Sequence, residues 1–131
     1  MYSVSNRILQ DESYTEDKYY DDFHLFGSIS KRGNAAQVVY DEKTGVLIDL
    51  LFGKAIITCW NTHSPYKINL VHKTKSVFHP TAVNIDADRN LWVLLNQLGL
   101  YFYKNFEEGV KGMRIMKQTV DEAIKGTKCV N

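Results

Sequence analysis

Val38-Val39-Tyr40-Asp41-Glu42-Lys43-Thr44-Gly45-Val46-Leu47-Ile48 and Val83-Asn84-Ile85-Asp86-Ala87-Asp88-Arg89-Asn90-Leu91-Trp92-Val93 are two copies of one pattern, 45 residues apart. Asp41 meets Asp86, and Gly45 meets Asn90. Apolar residues meet at 38/83, 40/85, 46/91, 47/92 and 48/93. The match runs on: Leu50 meets Leu95, and Ala55-Ile56-Ile57 meets Leu100-Tyr101-Phe102. The Asp-x-x-x-Gly/Asn core is turn chemistry, because Asp bonds its own following backbone and Gly or Asn tolerates positive φ. The flanking Val, Ile, Leu, Tyr and Phe favour strands. Each copy therefore predicts strand, turn, strand, short gap, strand. Two unrelated hairpins can share one turn by chance, but not so long a match.

Several strands in a repeat of about 40–50 residues is the spacing of β-propeller blades. Approximate units are residues 35–79 and 80–124. The chain has 131 residues, so two such units fill most of it, and a ring needs at least about four blades. Unclosed blades leave strand edges bare. The expectation is an all-β, partial propeller of two to three blades: a fragment, a swapped oligomer or an open sheet.

Composition excludes several classes. With 16 Lys plus Arg against 15 Asp plus Glu, the net charge is +1. Such a chain has no global field for nucleic acid or an anionic membrane. No apolar run reaches the roughly 20 residues that cross a bilayer; Asp49 breaks the longest. A hydrophobic fraction of 44% and a charged fraction of 24% are globular values. The first residues lack the basic start and apolar core of a signal peptide, so read literally the chain is cytosolic. Cys59 and Cys129 form no zinc or Cys-x-x-Cys signature. They are either two free thiols or one long-range disulfide, which requires an oxidising compartment.

Outside the repeat, Tyr2 to Leu9 reads as a strand, Asp11 to Asp22 as a polar connection without calcium-loop spacing, and Phe23-His24-Leu25-Phe26 as another strand. Lys31-Arg32-Gly33-Asn34 reads as a turn. Thr119-Val120-Asp121-Glu122 is a capping box, with Val120, Ala123 and Ile124 on one face and Gly126 to end the helix. His24, His63, His72 and His79 have no metal-ligand spacing, and no hydrolase elbow or phosphate loop occurs. No metal and no cofactor are expected, and no catalytic residue is identified. Trp60 reads as core. Asn96 ends the run Leu91 to Leu95, either as a turn former or as a polar group at a channel mouth.

In their order and spacing, a series of landmarks resembles the C-terminal part of the yellow / major royal jelly protein family of insects. They are Ser5 to Leu9 with Asp11-Glu12, Tyr19 to Gly27 with Arg32-Gly33, Asp41 to Leu47, Cys59-Trp60-Asn61, Ser64-Pro65-Tyr66, Asn90 to Leu94, Arg114-Ile115, Val120-Asp121-Glu122, and Lys125-Gly126-Thr127 with Cys129. The resemblance implies the last blades of a six-bladed, secreted, extracellular propeller, with further blades upstream. It also implies that Cys59 and Cys129 are disulfide partners. Family roles include cuticle pigmentation, dopachrome conversion in melanin synthesis, biogenic-amine binding and nutritive or signalling functions.

Amine-binding members hold ligand with a Thr near a strand start and an Asn-x-Phe after Trp-Val-x-x. Those positions are Thr81, Asn96 and Leu98 here. Leu98 replaces the aromatic, removing a cation–π surface worth about 0.5–2 kcal/mol, and Gln97 stands where Arg is usual. Three readings follow. One is a secreted yellow-like protein of the melanin pathway that binds or converts a catecholamine-derived molecule such as dopachrome, by isomerase- or tautomerase-like proton transfer if it is an enzyme. The second is a non-enzymatic amine-binding protein. The third is a truncated fragment without independent activity.

Overall fold

The computed structural model describes residues 2–13, 21–25, 27, 34–52, 55–73, 79–98, 102 and 112–130. Residues 1–30 and 31–131 form two compact units. In the first, β1 (Tyr2–Ser3) pairs antiparallel with β2 (His24–Leu25). The strand expected over Tyr2 to Leu9 ends at Ser3. The amides of Ile8 and Leu9 turn back to the Ser5 carbonyl, and Asn6–Leu9 becomes a single helical turn, α1. Most of the acidic connection (14–20), Phe26 and residues 31–33 of the expected turn lie outside the described residues.

The second unit carries two antiparallel sheets. The first runs β3 (Asn34–Asp41), β4 (Val46–Phe52), β5 (Ile56–Asn61), β6 (Asn69–Lys73), each paired with the next. The second runs β7 (His79–Ile85), β8 (Asn90–Asn96), β9 (Met113–Thr119). The protein is thus all-β with a short helix, the make-up of a partial propeller. β3 and β7 keep the 45-residue offset, and β4 and β8 keep it to within one residue of register, since Val38 pairs with Asp49 and Val83 with Val93, and 93 − 49 = 44. The third strand of each sheet does not: Trp60 pairs with Leu47 and Lys117 with Trp92, so the offset there is 117 − 60 = 57. The third strand of the sheet is Met113–Thr119; of the strand expected at residues 100–102, residues 100 and 101 lie outside the described residues. Among the described residues of that stretch, Leu98 and Phe102 lie outside the strands.

The two turns differ by one residue, and the difference matters. In the first, Gly45 donates to the Asp41 carbonyl and sits at φ +69°. In the second, Arg89 donates to the Asp86 carbonyl, one residue closer, and Arg89 takes the left-handed position at φ +61°. The expectation that Asn90 would supply positive φ is therefore corrected to Arg89. A side chain in this region costs about 1–2 kcal/mol. The cost is offset by what the side chain reaches. Its Nε and Nη2 donate to Asp41 at 2.9 and 2.8 Å. Its Nη1 and Nη2 donate to Asp121, both at 2.9 Å. The Arg89 carbonyl also accepts from the Val120 amide at the start of the helix.

Sheet faces follow the alternation of apolar residues. Val46, Ile48 and Leu50 of β4 and their repeat partners Leu91, Val93 and Leu95 of β8 all enter one core, together with Ile57, Cys59 and Val83. β7 lies against β3 and β4. The helix α2 (Val120–Ile124) adds Val120, Ala123 and Ile124 to the same core. Thr119 caps it reciprocally with Glu122, as the capping box predicts, and Gly126 at φ +78° follows its end. The C-terminus is then tied down by the Cys59–Cys129 disulfide and by Asn61, whose Nδ2 donates to the Cys129 carbonyl at 3.1 Å. A 70-residue closed loop contributes about 4 kcal/mol in the chain-entropy model.

Asp41 is almost fully buried, and the Arg89 guanidinium, with the Thr44 hydroxyl and amide, holds its carboxyl down at about 2, from 3.8. A depressed carboxyl contributes stability that is complete above its unfolded value and lost as pH falls through the folded one. In urea unfolding, Asp41→Asn should therefore be less stable than the wild type at pH 6, by on the order of 2 kcal/mol. The gap should close as pH falls from about 4 to about 2. Gly45→Ala should cost at least about 1–2 kcal/mol, because its φ is positive and an added Cβ would also run into the His63 ring.

Candidate functional site

The face of the second sheet turned away from the core is laid out in rows by its strand register. His79 pairs with Asn96, which pairs with Met113; Ala82 with Leu94 and Ile115; Asn84 with Trp92 and Lys117. Residues paired across a ladder project from the same face. The first row is polar, the second apolar, and the third carries an aromatic ring beside a cation. A groove of about 410 Å³ runs over the last two rows, lined by Ala82, Asn84, Trp92, Leu94 and Ile115, with Gln37 from β3.

Thr81 belongs to the polar end because of a bulge. The β7–β8 register shifts between Pro80 and Ala82, and Thr81 is the extra residue. The β3–β4 register shifts at the same repeat position, between Ala35 and Gln37, 45 residues earlier. A bulge re-aims a side chain, and here it brings Thr81 to Asn96. Asn96 Nδ2 donates to Thr81 Oγ1 at 3.3 Å, and Thr81 Oγ1 donates to the Leu94 carbonyl at 3.3 Å. Asn96 Oδ1 accepts from the Leu98 amide at 3.1 Å. Asn96 is thus a turn former and a partner of Thr81 at once, with one Nδ2 hydrogen left over. Leu98 is 45% exposed and follows the strand end. Gln97, beside them, is buried, and its amide donates to the Gly112 carbonyl.

At the other end, Trp92 Nε1 donates to Asp86 Oδ2 at 2.8 Å. That bond first, and the Asn90 side chain and amide after it, hold the Asp86 carboxyl down at about 2. Lys117 Nζ lies 4.9 Å from the Trp92 ring centroid. A second, more polar cavity surrounds Asp41, Asp86 and Arg89 at the turns. Asp41 and Asp86 there are already engaged, by Arg89 and Thr44 and by Asn90 and Trp92 respectively. Among the described residues no cluster of three or more His, Cys, Asp or Glu could hold a metal ion. Trp60 is core, as expected: 4% exposed, edge-on to Tyr66 at 5.0 Å, with its Nε1 donating to the Ser64 carbonyl.

Sequence reasoning singled out Thr81, Asn96 and Leu98, and the structure places them together at one end of the second sheet. It missed Arg89 and its two carboxylates, and it missed that His79 stands directly across from Asn96.

The sequence pattern of the major royal jelly protein family matches residues 1–129. Protein yellow of Drosophila madeirensis is 28% identical over 136 residues, covering 98% of this chain and 23% of its own. Protein yellow of Drosophila melanogaster is 27% identical over the same length, covering 98% of this chain and 24% of its own. The chain spans about a quarter of the length of these curated relatives.

Asn96→Ala removes both bonds that the amide makes. It should cost about 1 kcal/mol and lower the thermal midpoint by a few degrees. An unchanged melt would mean that the amide does not hold the bulge.

Proposed function

Because the chain belongs to the major royal jelly protein family, matched over residues 1–129, we propose that it is part of a secreted, yellow-like protein of the melanin or pigmentation pathway. Its second sheet helps to bind or convert a catecholamine-derived molecule such as dopachrome. The observation that carries this reading is the meeting of Thr81 and Asn96, 3.3 Å apart, in the row of the sheet next to the one in which Ala82, Leu94 and Ile115 line an apolar groove. A flat aromatic ligand suits such a groove: small-molecule sites are mostly apolar, of about 300–1,000 Å³, with a few placed polar groups. Further blades of a longer protein would complete the pocket. The buried Cys59–Cys129 bond supports an oxidising, extracellular setting.

Two features favour a neutral catechol or quinone over a cationic amine. Lys117 already occupies the face of Trp92, and Leu98 offers no aromatic ring. Both weaken cation–π recognition of an ammonium. Isomerising dopachrome moves a proton from ring carbon to quinone oxygen with no net electron transfer, so it requires acid–base groups rather than a redox centre.

The test follows dopachrome loss by absorbance, with dopamine and serotonin binding by calorimetry, on this chain and on a longer family protein that includes it. The reading predicts faster dopachrome loss or catechol binding at the longer protein, weakened by Asn96→Ala. Amine binding without turnover would support a carrier instead. Neither binding nor turnover would remove the reading.

A further inference from the structure

We infer that the outer edge of β9 is a docking surface for a second copy of this chain, and that two copies join edge to edge into one six-stranded sheet. β9 is the last strand in the order β7, β8, β9, so among the described strands only one of its edges is paired. Two hydrogen bonds just beyond its ends show which residues that edge uses. The Gln97 amide donates to the Gly112 carbonyl at 3.0 Å, and the Val120 amide donates to the Arg89 carbonyl at 3.0 Å. Bonded pairs alternate along an antiparallel ladder, and the β8–β9 register is unbroken between these two bonds. Arg114, Met116 and Gln118 therefore turn their backbone groups toward β8. Met113, Ile115 and Lys117 turn theirs outward, where no described strand meets them. The side chains of these three share the face turned away from the core, and Met113 is 68% exposed and Ile115 69%. An edge of this kind is a template for another strand. The chain's own continuation does not cover it, because the capping box at Thr119 leads straight into α2 and Cys129 is held by Cys59.

The residues on this edge suit a second copy and fix its register. In an antiparallel pair of identical strands a two-fold axis passes beside one residue, and the contact is isologous. With the axis at Ile115, that residue meets Ile115 of the second copy, while Met113 and Lys117 of each copy meet Lys117 and Met113 of the other. All three outward residues then exchange hydrogen bonds. Arg114 meets Met116 of the second copy, so no like charges stand opposite each other. The apolar row Ala82, Leu94, Ile115 runs on into its own copy, giving one continuous band across the joined sheet. The neighbouring registers are worse. An axis at residue 114 opposes two Arg114 side chains, and one at 117 opposes two Lys117 side chains; directly opposed like charges are destabilising. An axis at 116 sets Ile115 against Lys117 and calls on the Thr119 amide, which already donates to Glu122 Oε2. An axis at 113 carries Ile115 and Lys117 past the end of the strand, which starts at Met113.

The experiment measures the mass of the disulfide-bonded chain in solution against concentration, by light scattering and native mass spectrometry. The expected species is a dimer that dissociates on dilution, as a contact of small area does. Ile115→Lys and Ile115→Glu each set like charges across the axis and should weaken the dimer at least about tenfold. Mixed in equal amounts, the two variants should restore it as a Lys–Glu pair. Thermal melts check their folding, which the exposed Ile115 side chain should leave intact. In hydrogen exchange on the wild type, a readout that needs no variant, the amides of Met113, Ile115 and Lys117 should be slowed at dimer-forming concentrations and fast on dilution. A wild type that stays monomeric up to about 0.1 mM, an unweakened dimer in both variants, or no recovery on mixing them would overturn the inference. So would slow exchange of those three amides in a monomer, which would mean that another part of the same chain covers the edge.

Discussion

Arg89 reaches two carboxylates from distant parts of the chain. Asp41 closes the first hairpin, and Asp121 lies in the first turn of the helix. The same residue's carbonyl receives the Val120 amide, so one position joins the first sheet, the second sheet and α2. To do this it adopts φ +61°, a strain of about 1–2 kcal/mol. The Asp41 side of the pair is nearly buried, and its depressed carboxyl is worth on the order of 2 kcal/mol. The Asp121 side is exposed and worth much less. The buried half of the pair therefore offsets the strain.

The candidate site depends on that arrangement at one remove. Arg89 lies at the turn between β7 and β8, while Thr81, His79 and Asn96 lie at the opposite ends of those strands. β7 is held over β3 and β4 by apolar packing through Val83, with Arg89 fixing its turn end. The polar end of the sheet is then positioned by rigid strands rather than by a loop. The bulge occurs in both copies, but the extra residue is alanine at 36 and threonine at 81. A device common to both hairpins gains a hydroxyl only in the second.

The 45-residue repeat was legible because Asp, Gly and alternating apolar residues each have a local meaning. So was the capping box, whose two hydrogen bonds lie within four residues. The partners of Arg89 were not legible, since Asp41 and Asp121 are 48 and 32 residues away and nothing local joins them. The strand that pairs with β8, Met113–Thr119, was not legible, because its sequence is no more strand-like than Leu100 to Phe102 and only the pairing identifies it. The Thr81–Asn96 contact came from family resemblance rather than from spacing. His79 required the hairpin register, and a turn one residue shorter than its counterpart changes that register.

The central claim is that the Asp41–Arg89 pair joins the two sheets. A double-mutant cycle on Asp41→Asn and Arg89→Ala, read by urea unfolding at pH 6 in the disulfide-bonded chain, tests it most directly. The account predicts a coupling energy of about 2 kcal/mol or more, with the double variant little worse than either single one. Additivity to within about 0.5 kcal/mol would contradict it.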